Sequence, residues 1–192
     1  MVVGIMIFQE TKLKGVFIIK PDQKEDERGP FTRTFFSQNE FRDHGLNATI
    51  VQSDISYIRP KGTFRGMHFQ TPPFDEDKIV SCCNGAILDY IVDLRVESPT
   101  FKDWFKIELS SDNGYSVYIP KSFAHGFYTL CPNAHVVYQL TGYHHPEHAW
   151  GFRFDDPAFD ITVPTEITNL TEKDRNYPDL YLLPSESDHA WK

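Results

Sequence analysis

The chain has 192 residues, enough to bury one sizeable core and too few for a substrate domain beside a separate cofactor lobe. Its 19 Lys and Arg stand against 27 Asp and Glu, a formal charge of -8 with no long basic run, which argues against a surface that tracks nucleic acid. Apolar residues at 40%, aromatics at 15% and charged residues at 24% are the balance of a packed globular chain, and no window approaches the ~18 uninterrupted apolar residues of a membrane helix.

Met1 to Phe8 is mostly apolar, but no Lys or Arg precedes it and Gln9-Glu10-Thr11-Lys12 is not a small-residue cleavage site, so no secretory leader is expected. Beyond it, short alternating or β-branched runs predict strands over 16–19, 31–36, 49–58, 78–82, 86–94, 104–109, 116–119, 134–141 and 151–154. The separators carry breakers: Asp26-Glu27-Arg28-Gly29-Pro30, Arg59-Pro60-Lys61-Gly62, Asn84-Gly85, Ser98-Pro99, Asp112-Asn113-Gly114, Cys131-Pro132-Asn133 and His145-Pro146. The Asp112-Asn113-Gly114 tip reads as a hairpin turn.

One helix is well signalled, because Ser37 stands three residues before Glu40 as a capping box and Gly45 follows as a stop. A short helical turn is expected at 171–174, ahead of Pro178. From about residue 165 the alternation is lost, so this tail is expected to wrap the body of the fold. The sum is a single domain over 1–192, mainly β with a few short helices, built as a double-sheet jelly roll whose inward faces can enclose a ligand. Three cysteines, Cys82, Cys83 and Cys131, suit neither a disulfide framework nor a paired zinc site, and are expected to be reduced and cytoplasmic, mostly core filler.

Chemistry concentrates in a few places. Arg65-Gly66-Met67-His68-Phe69-Gln70 sets a cation and an imidazole three apart on a strand; that spacing puts them on opposite faces unless the glycine marks a bulge. Taken alone, such a pair more often belongs to the structure than to a site. Lys78 opens a strand, Tyr138 sits in Val136-Val137-Tyr138, and Asp89 lies inside Ile87-Leu88-Asp89-Tyr90-Ile91-Val92, where a carboxylate is costly unless a strand neighbour pairs with it. No metal is expected: the position two after His68 is Gln70, and His125, His135, His144, His145 and His148 do not share one strand face at ligand spacing. A Gly-x-Ser-x-Gly elbow and a dinucleotide glycine fingerprint are both missing.

The strings Asp26-Glu27-Arg28-Gly29, Arg65-Gly66-Met67-His68-Phe69-Gln70, Val92-Asp93-Leu94-Arg95-Val96-Glu97-Ser98-Pro99-Thr100-Phe101, Ile119-Pro120-Lys121-Ser122-Phe123-Ala124-His125-Gly126-Phe127 and Asp155-Asp156-Pro157, in that order, resemble the dTDP-4-dehydrorhamnose 3,5-epimerase family. The resemblance runs from about Lys14 to Leu180. It implies a cupin jelly roll, a homodimer whose strands cross between subunits, no metal or other cofactor, and a nucleotide-linked 4-keto-6-deoxyhexose as substrate, in cytoplasmic deoxysugar synthesis for a surface polysaccharide such as O-antigen. No nucleic-acid or membrane partner is expected.

Carried over residue by residue, the family's base falls on His68 with Asp174 as its acidic partner, its lysine at the keto oxygen on Lys78, and its tyrosine acid on Tyr138. His125 matches the second pocket histidine and Asp89 the buried acid. Arg65 and Arg28 match the diphosphate arginines, Arg28 reaching across the dimer, and Gln52 matches a nucleotide-pocket glutamine. These residue types suit the chemistry. Epimerisation beside a ketone needs a base to take a carbon-bound proton, a cation where the enolate oxygen develops, and an acid on the far face. The ketone is its own electron sink.

Three positions depart from the family near the nucleotide base: Arg33 where Glu is usual, Asp54 where Asn is usual, and His144 where an aromatic is common. Cytosine presents an accepting N3 and a donating N4 amine, so an Arg33 donor with an Asp54 acceptor suits CDP better than dTDP. The expected substrate is therefore an NDP-4-keto-6-deoxyhexose, CDP-linked ahead of dTDP-linked, the alternative being that Arg33 and Asp54 pair with each other or face solvent while stacking and phosphate contacts alone hold the base. A 3,4-ketoisomerase and a non-catalytic sugar-nucleotide-binding cupin remain as competing functions.

Overall fold

A computed structural model of the chain describes residues 6–32 and 35–180. Two antiparallel sheets face each other. The first runs β1 (Ile7–Glu10), β2 (Phe17–Lys20), β10 (Ser116–Ile119), β7 (Lys78–Asn84), β12 (Ala134–Leu140), β5 (Gln52–Ile58). The second runs β13 (Ala149–Gly151), β6 (Phe64–Gln70), β11 (Phe123–Thr129), β8 (Ala86–Asp93), β9 (Trp104–Ser110). A separate two-stranded ribbon joins β3 (Gln23–Asp26) to β4 (Gly29–Thr32). This is the expected mainly β, double-sheet fold with two short helices, α1 (Gln38–Asp43) and α2 (Glu172–Arg175).

The apolar pattern assigns the layers. Residues of β7, β8, β9, β10, β11 and β12, among them Val80, Ile87, Leu109, Val117, Phe127 and Val136, fill the space between the sheets. On the outer face of the second sheet Phe64, Met67, Tyr90 and Tyr128 pack with Phe152, Phe159 and Ile161, and the tail residues Ile167, Leu170 and Leu180 lie against them. α1 covers the first sheet with Phe41. Its cap is as the capping box foretells, the Glu40 amide donating to Ser37 Oγ at 3.4 Å, but the Glu40 carboxylate receives Met6 N–H at 2.8 Å instead of closing the box.

Several elements differ from the sequence expectation. Asp112-Asn113-Gly114 is no hairpin: β9 and β10 belong to different sheets, and Asn113 Oδ1 turns the chain across by accepting from the amides of Ser110 and Tyr115 at 3.2 and 2.8 Å. The expected separator 26–30 is itself the turn of a ribbon, and of the strand expected over 31–36, Phe31 and Thr32 belong to β4, residues 33 and 34 lie outside the described residues, and Phe35 and Phe36 are not in a strand. The strand placed at 151–154 is β13, centred on Trp150. β1, β3 and β11 have no counterpart among the expected strands. β11 reads Phe-Ala-His-Gly-Phe-Tyr-Thr with all seven residues buried, so it lacks the alternation of a one-sided strand. Core filler describes Cys82 alone: burial pushes its thiol up to about 11, whereas Cys83, one residue on and facing the other way, is exposed, and Cys131 is half-buried.

The segment Val92 to Phe101 works as a staple. Asp93, fully buried at the end of β8, receives Arg95 Nε and Nη2 at 2.8 and 2.7 Å and the hydroxyls of Ser98 and Thr100 at 2.6 and 2.7 Å. Although burial opposes ionisation, these donors hold its carboxyl down at about 2.

Candidate active site

At one end of the space between the sheets the filling stops, leaving a cavity of about 300 Å³. The second sheet contributes Arg65, His68 and His125 to its wall; the first contributes Asp54, Lys78 and Tyr138. Arg65 and His68 share this wall because β6 holds a bulge. His68 pairs with His125 and Arg65 with Phe127, so three steps along β6 match two along β11. The extra residue is accommodated at Gly66, whose φ of +133° suits glycine, and a Cβ there would lie 2.4 Å from the Gly126 Cα. The bulge condition set by the sequence is met.

His68 Nε2 lies 2.6 Å from Asp174 Oδ1, across 106 residues of chain. Asp174 reaches it from α2, whose Thr171 cap accepts the Asp174 amide at 3.1 Å, and the approach to α2 is tied to β6 by Phe64 N–H donating to Asn169 O at 3.0 Å. Burial, together with the charges of Lys78 and Arg65, pushes the His68 imidazolium below the ordinary imidazole value, against the upward pull of Asp174. Burial pushes Asp174 up, but the His68 contact, the Thr171 hydroxyl and the Gly66 N–H more than offset it, and its carboxyl stays below the usual range. Since a carboxylate only accepts, the ring proton is assigned to Nε2, leaving Nδ1 with a free lone pair.

Facing this dyad, Lys78 and Tyr138 stand on neighbouring strands, Leu140 pairing with Lys78 and Tyr138 with Val80. Burial pushes the Tyr138 hydroxyl up, and Asp89 and Asp54 add to it while Arg65 and Ser56 oppose, so the phenol keeps its proton at neutral pH. Asp89, fully buried, pairs with His125 Nε2 at 2.7 Å on the adjacent strand β11, which is the strand-neighbour partner its apolar run demands. Burial raises the Asp89 carboxyl and outweighs His125 and Lys78; its Oδ1 makes no hydrogen bond among the described residues. Asp89 thus stands behind His125, which lines the cavity.

At the entrance, Gln52 Nε2 donates to both oxygens of Asp54 at 3.1 and 2.9 Å, and Gln52 Oε1 accepts the His144 amide at 3.3 Å. Asp54 and His144 line the cavity; Gln52 braces them from outside. Arg28 sits at the ribbon's turn, its side chain 83% exposed and paired with Asp26 at 2.5 Å, outside this cavity's lining. Arg33 lies outside the described residues.

The structure adds residues that sequence reasoning passed over. Glu76 and Gln70 line the cavity beside Lys78, and Tyr177 meets the His68 ring edge-on at 6.0 Å between centroids. A Cβ on Gly151 would fall 2.7 Å from the Tyr177 ring, so that glycine gives the tyrosine its seat. Glu76 was hidden in the acidic loop string Asp75-Glu76-Asp77, although its place two before Lys78 was a usable signal. Among the described residues, no three His, Cys, Asp or Glu side chains converge as a metal-ligand group.

Against known proteins, residues 10–181 match the family model described as dTDP-4-dehydrorhamnose 3,5-epimerase. A protein of that name from Sinorhizobium fredii is 40% identical over 180 residues, spanning 93% of this chain and 92% of its own. The solved structure of a dTDP-6-deoxy-D-glucose-3,5-epimerase from Legionella pneumophila, in complex with dTDP-4-keto-L-rhamnose, superposes with a TM-score of 0.88 at 36% identity, covering 94% of this chain and 96% of that one. A dTDP-4-dehydrorhamnose 3,5-epimerase from Bacillus anthracis with TDP and pyrophosphate bound gives 0.87 at 38%, covering 91% and 99%.

Proposed function

This chain belongs to the dTDP-4-dehydrorhamnose 3,5-epimerase family, and on that premise we propose that it inverts C3, C5 or both of a nucleotide-linked 4-keto-6-deoxyhexose, with His68 as base, Lys78 at the C4 oxygen and Tyr138 as acid. The observation that carries this reading is the placement of a neutral histidine, held by Asp174, on one sheet and of an ammonium and a protonated phenol on the sheet facing it. Inversion needs its proton donor and acceptor on opposite faces of the sugar, and two facing sheets supply opposite faces.

His68 Nδ1 takes the proton from the carbon beside the ketone, and the C–H electron pair becomes the C=C bond of an enolate whose negative charge settles on the C4 oxygen. Lys78 donates to that oxygen where charge develops; removing such a donor elsewhere costs about 2.7–4 kcal/mol of barrier. Tyr138 then gives its proton to the other face of the same carbon, and both groups return to their starting states by exchange with water. Asp174 fixes the ring tautomer and stabilises the imidazolium. Arg65 and His125 are read as substrate-holding groups, while Asp89, buried outside the cavity's lining, holds the His125 ring from behind instead of touching substrate as expected. In this reading a second copy of the chain completes the site: Arg28, exposed on the ribbon, serves the neighbouring cavity, and the exposed Ile55 and Tyr57 of the edge strand β5 support such a contact. One domain spans the chain, and its place is cytoplasmic deoxysugar synthesis, where nucleotide-activated sugars are made.

For the base, the dTDP form is placed first, after the ligands named for the relatives. Asp54 favours CDP as the second reading, being an acceptor-only group in the cavity wall suited to the cytosine N4 amine. Gln52 already occupies part of that carboxylate, and the supporting donor, Arg33, lies outside the described residues. The test is proton NMR in deuterium oxide with dTDP- and CDP-4-keto-6-deoxyglucose. Deuterium entering at C3 or C5 with an inverted product supports the reading and names the carbon and the base. A 3-keto product indicates ketoisomerase action, and binding without exchange indicates a binding module; either overturns it.

A further inference from the structure

His68 and Lys78 come from opposite sheets, so the distance between base and cation is set by no single ladder. A chain of side chains in the cavity wall joins them. Gln70, two residues beyond His68 and on the same face of β6, is buried; its amide nitrogen shares two N–H groups among Glu76 Oε2, Phe74 O at 2.8 Å and Tyr143 O at 3.1 Å, while its Oε1 accepts the His145 amide at 2.6 Å. Glu76, its side chain 5% exposed, places its other oxygen 3.2 Å from Lys78 Nζ. The chain therefore runs from the strand of the base, through a buried amide and a buried carboxylate, to the ammonium.

Lysine has a flexible four-carbon stem and three equivalent donors, so its charge is aimed only where a fixed acceptor takes one of them. Glu76 is that acceptor: among the described residues the salt bridge of Lys78 is to Glu76. The carboxylate is itself held by Gln70, and as an acceptor-only group it does not compete with Lys78 for the substrate's oxygen. Two ammonium protons remain for the cavity. We propose that Glu76 is a positioning residue that aims the Lys78 ammonium at the C4 oxygen as it becomes negative, and that Gln70 ties this aim to the strand carrying His68. The assignment rests on the epimerase reading above.

The experiment compares Glu76→Gln, Glu76→Asp, Glu76→Ala, Lys78→Ala and the double variant Glu76→Ala/Lys78→Ala in the full chain, with kcat, KM and deuterium uptake measured for each. Misaiming a group at the reacting atoms costs on the order of 10- to 100-fold, so Glu76→Gln is expected to lose that much in kcat with KM within about threefold. Uptake is expected to fall by the same factor as turnover, because Lys78 acts in forming the enolate, and Glu76→Asp should recover part of the loss. In the Lys78→Ala background, Glu76→Ala should cost less than about twofold, since nothing remains to aim. Retention of wild-type kcat by Glu76→Gln overturns the assignment, and so does an equal loss from Glu76→Ala with and without Lys78, which marks a structural role. If Glu76→Ala does not fold, the near-isosteric Gln variant carries the comparison alone. A wild-type chain that takes up no deuterium overturns the epimerase reading, and this assignment with it.

Discussion

The space between the two sheets has a closed end and an open end, and the same strands furnish both. Along β7 the inward residues run Lys78, Val80, Cys82; along β12 they run Tyr138, Val136, Ala134. On β8 the buried Asp89 lies between Ile87 and Ile91, and on β11 His125 lies between Phe123 and Phe127. A step of two residues, about 7 Å of strand, therefore separates tight apolar packing from a polar cavity. The closed end lends rigidity to side chains that must meet a substrate within a fraction of an ångström, while the open end carries the cost of buried charge. That cost is contained by pairing: Asp174 with His68, Asp89 with His125, Glu76 with Lys78.

Substitutions at the two ends should separate rate from stability. The largest effect is expected for His68→Ala, which should lower deuterium uptake by about 10²- to 10⁴-fold; stranding Asp174 should also cost about 1–3 kcal/mol of fold stability, so the NMR assay belongs well below the melting temperature. Uptake within tenfold of wild type would remove His68 from the mechanism. Tyr138→Phe should divide the reaction, with exchange continuing while inverted product falls, because abstraction survives and delivery to the far face does not. An equal fall in both would make Tyr138 a binding group. Leu109→Ala, whose side chain packs at the closed end opposite Ile87, is the mirror experiment: the cavity it leaves should cost about 2–5 kcal/mol in a denaturant titration, with kcat per folded molecule unchanged. A comparable loss of kcat would mean that the closed end does more than support.

The smallest effect is one of pH. Because burial lowers His68, the base stays neutral down to pH values below the ordinary imidazole pKa of about 6.5, and the acid limb of kcat/KM should fall there. Asp174→Asn removes the upward pull on the ring, so that limb should move to still lower pH while the plateau drops. The same group affects the fold. The unfolded chain binds a proton near pH 6.5 that the native ring declines, so the stability His68 contributes is present above that value and is lost as pH falls toward its native pKa. An acid limb above pH 6.5, or one unmoved by Asp174→Asn, would contradict this account.

Much of the site was legible because charge in an apolar alternation is conspicuous. Asp89 and Tyr138 interrupt hydrophobic runs, and Arg65 and His68 flank a glycine that forces a choice of face. Asp174 was beyond such reasoning, since 106 residues separate it from His68 and only the family resemblance linked them. Turn chemistry was legible locally and silent globally: Asp112-Asn113-Gly114 does reverse the chain, but nothing in those residues says that β10 joins the other sheet. β11 escaped because burial on both faces erases the period that marks a strand. One of the strings that carried the resemblance, Val92 to Phe101, turned out to hold a loop closed through Asp93 rather than to contact the cavity.

The bulge at Gly66 also decides what would have to be copied to build this catalyst elsewhere. A designer who grafts Arg, His, Lys and Tyr onto an unbroken sandwich at the same sequence intervals sends the guanidinium and the imidazole to opposite sides of the wall. The smallest portable unit is the whole of β6, Phe64–Gln70, with its surplus residue, and the glycine of the neighbouring strand β11, Gly126, that leaves room for it. Two glycines with no functional group between them are as much a part of the blueprint as the base itself.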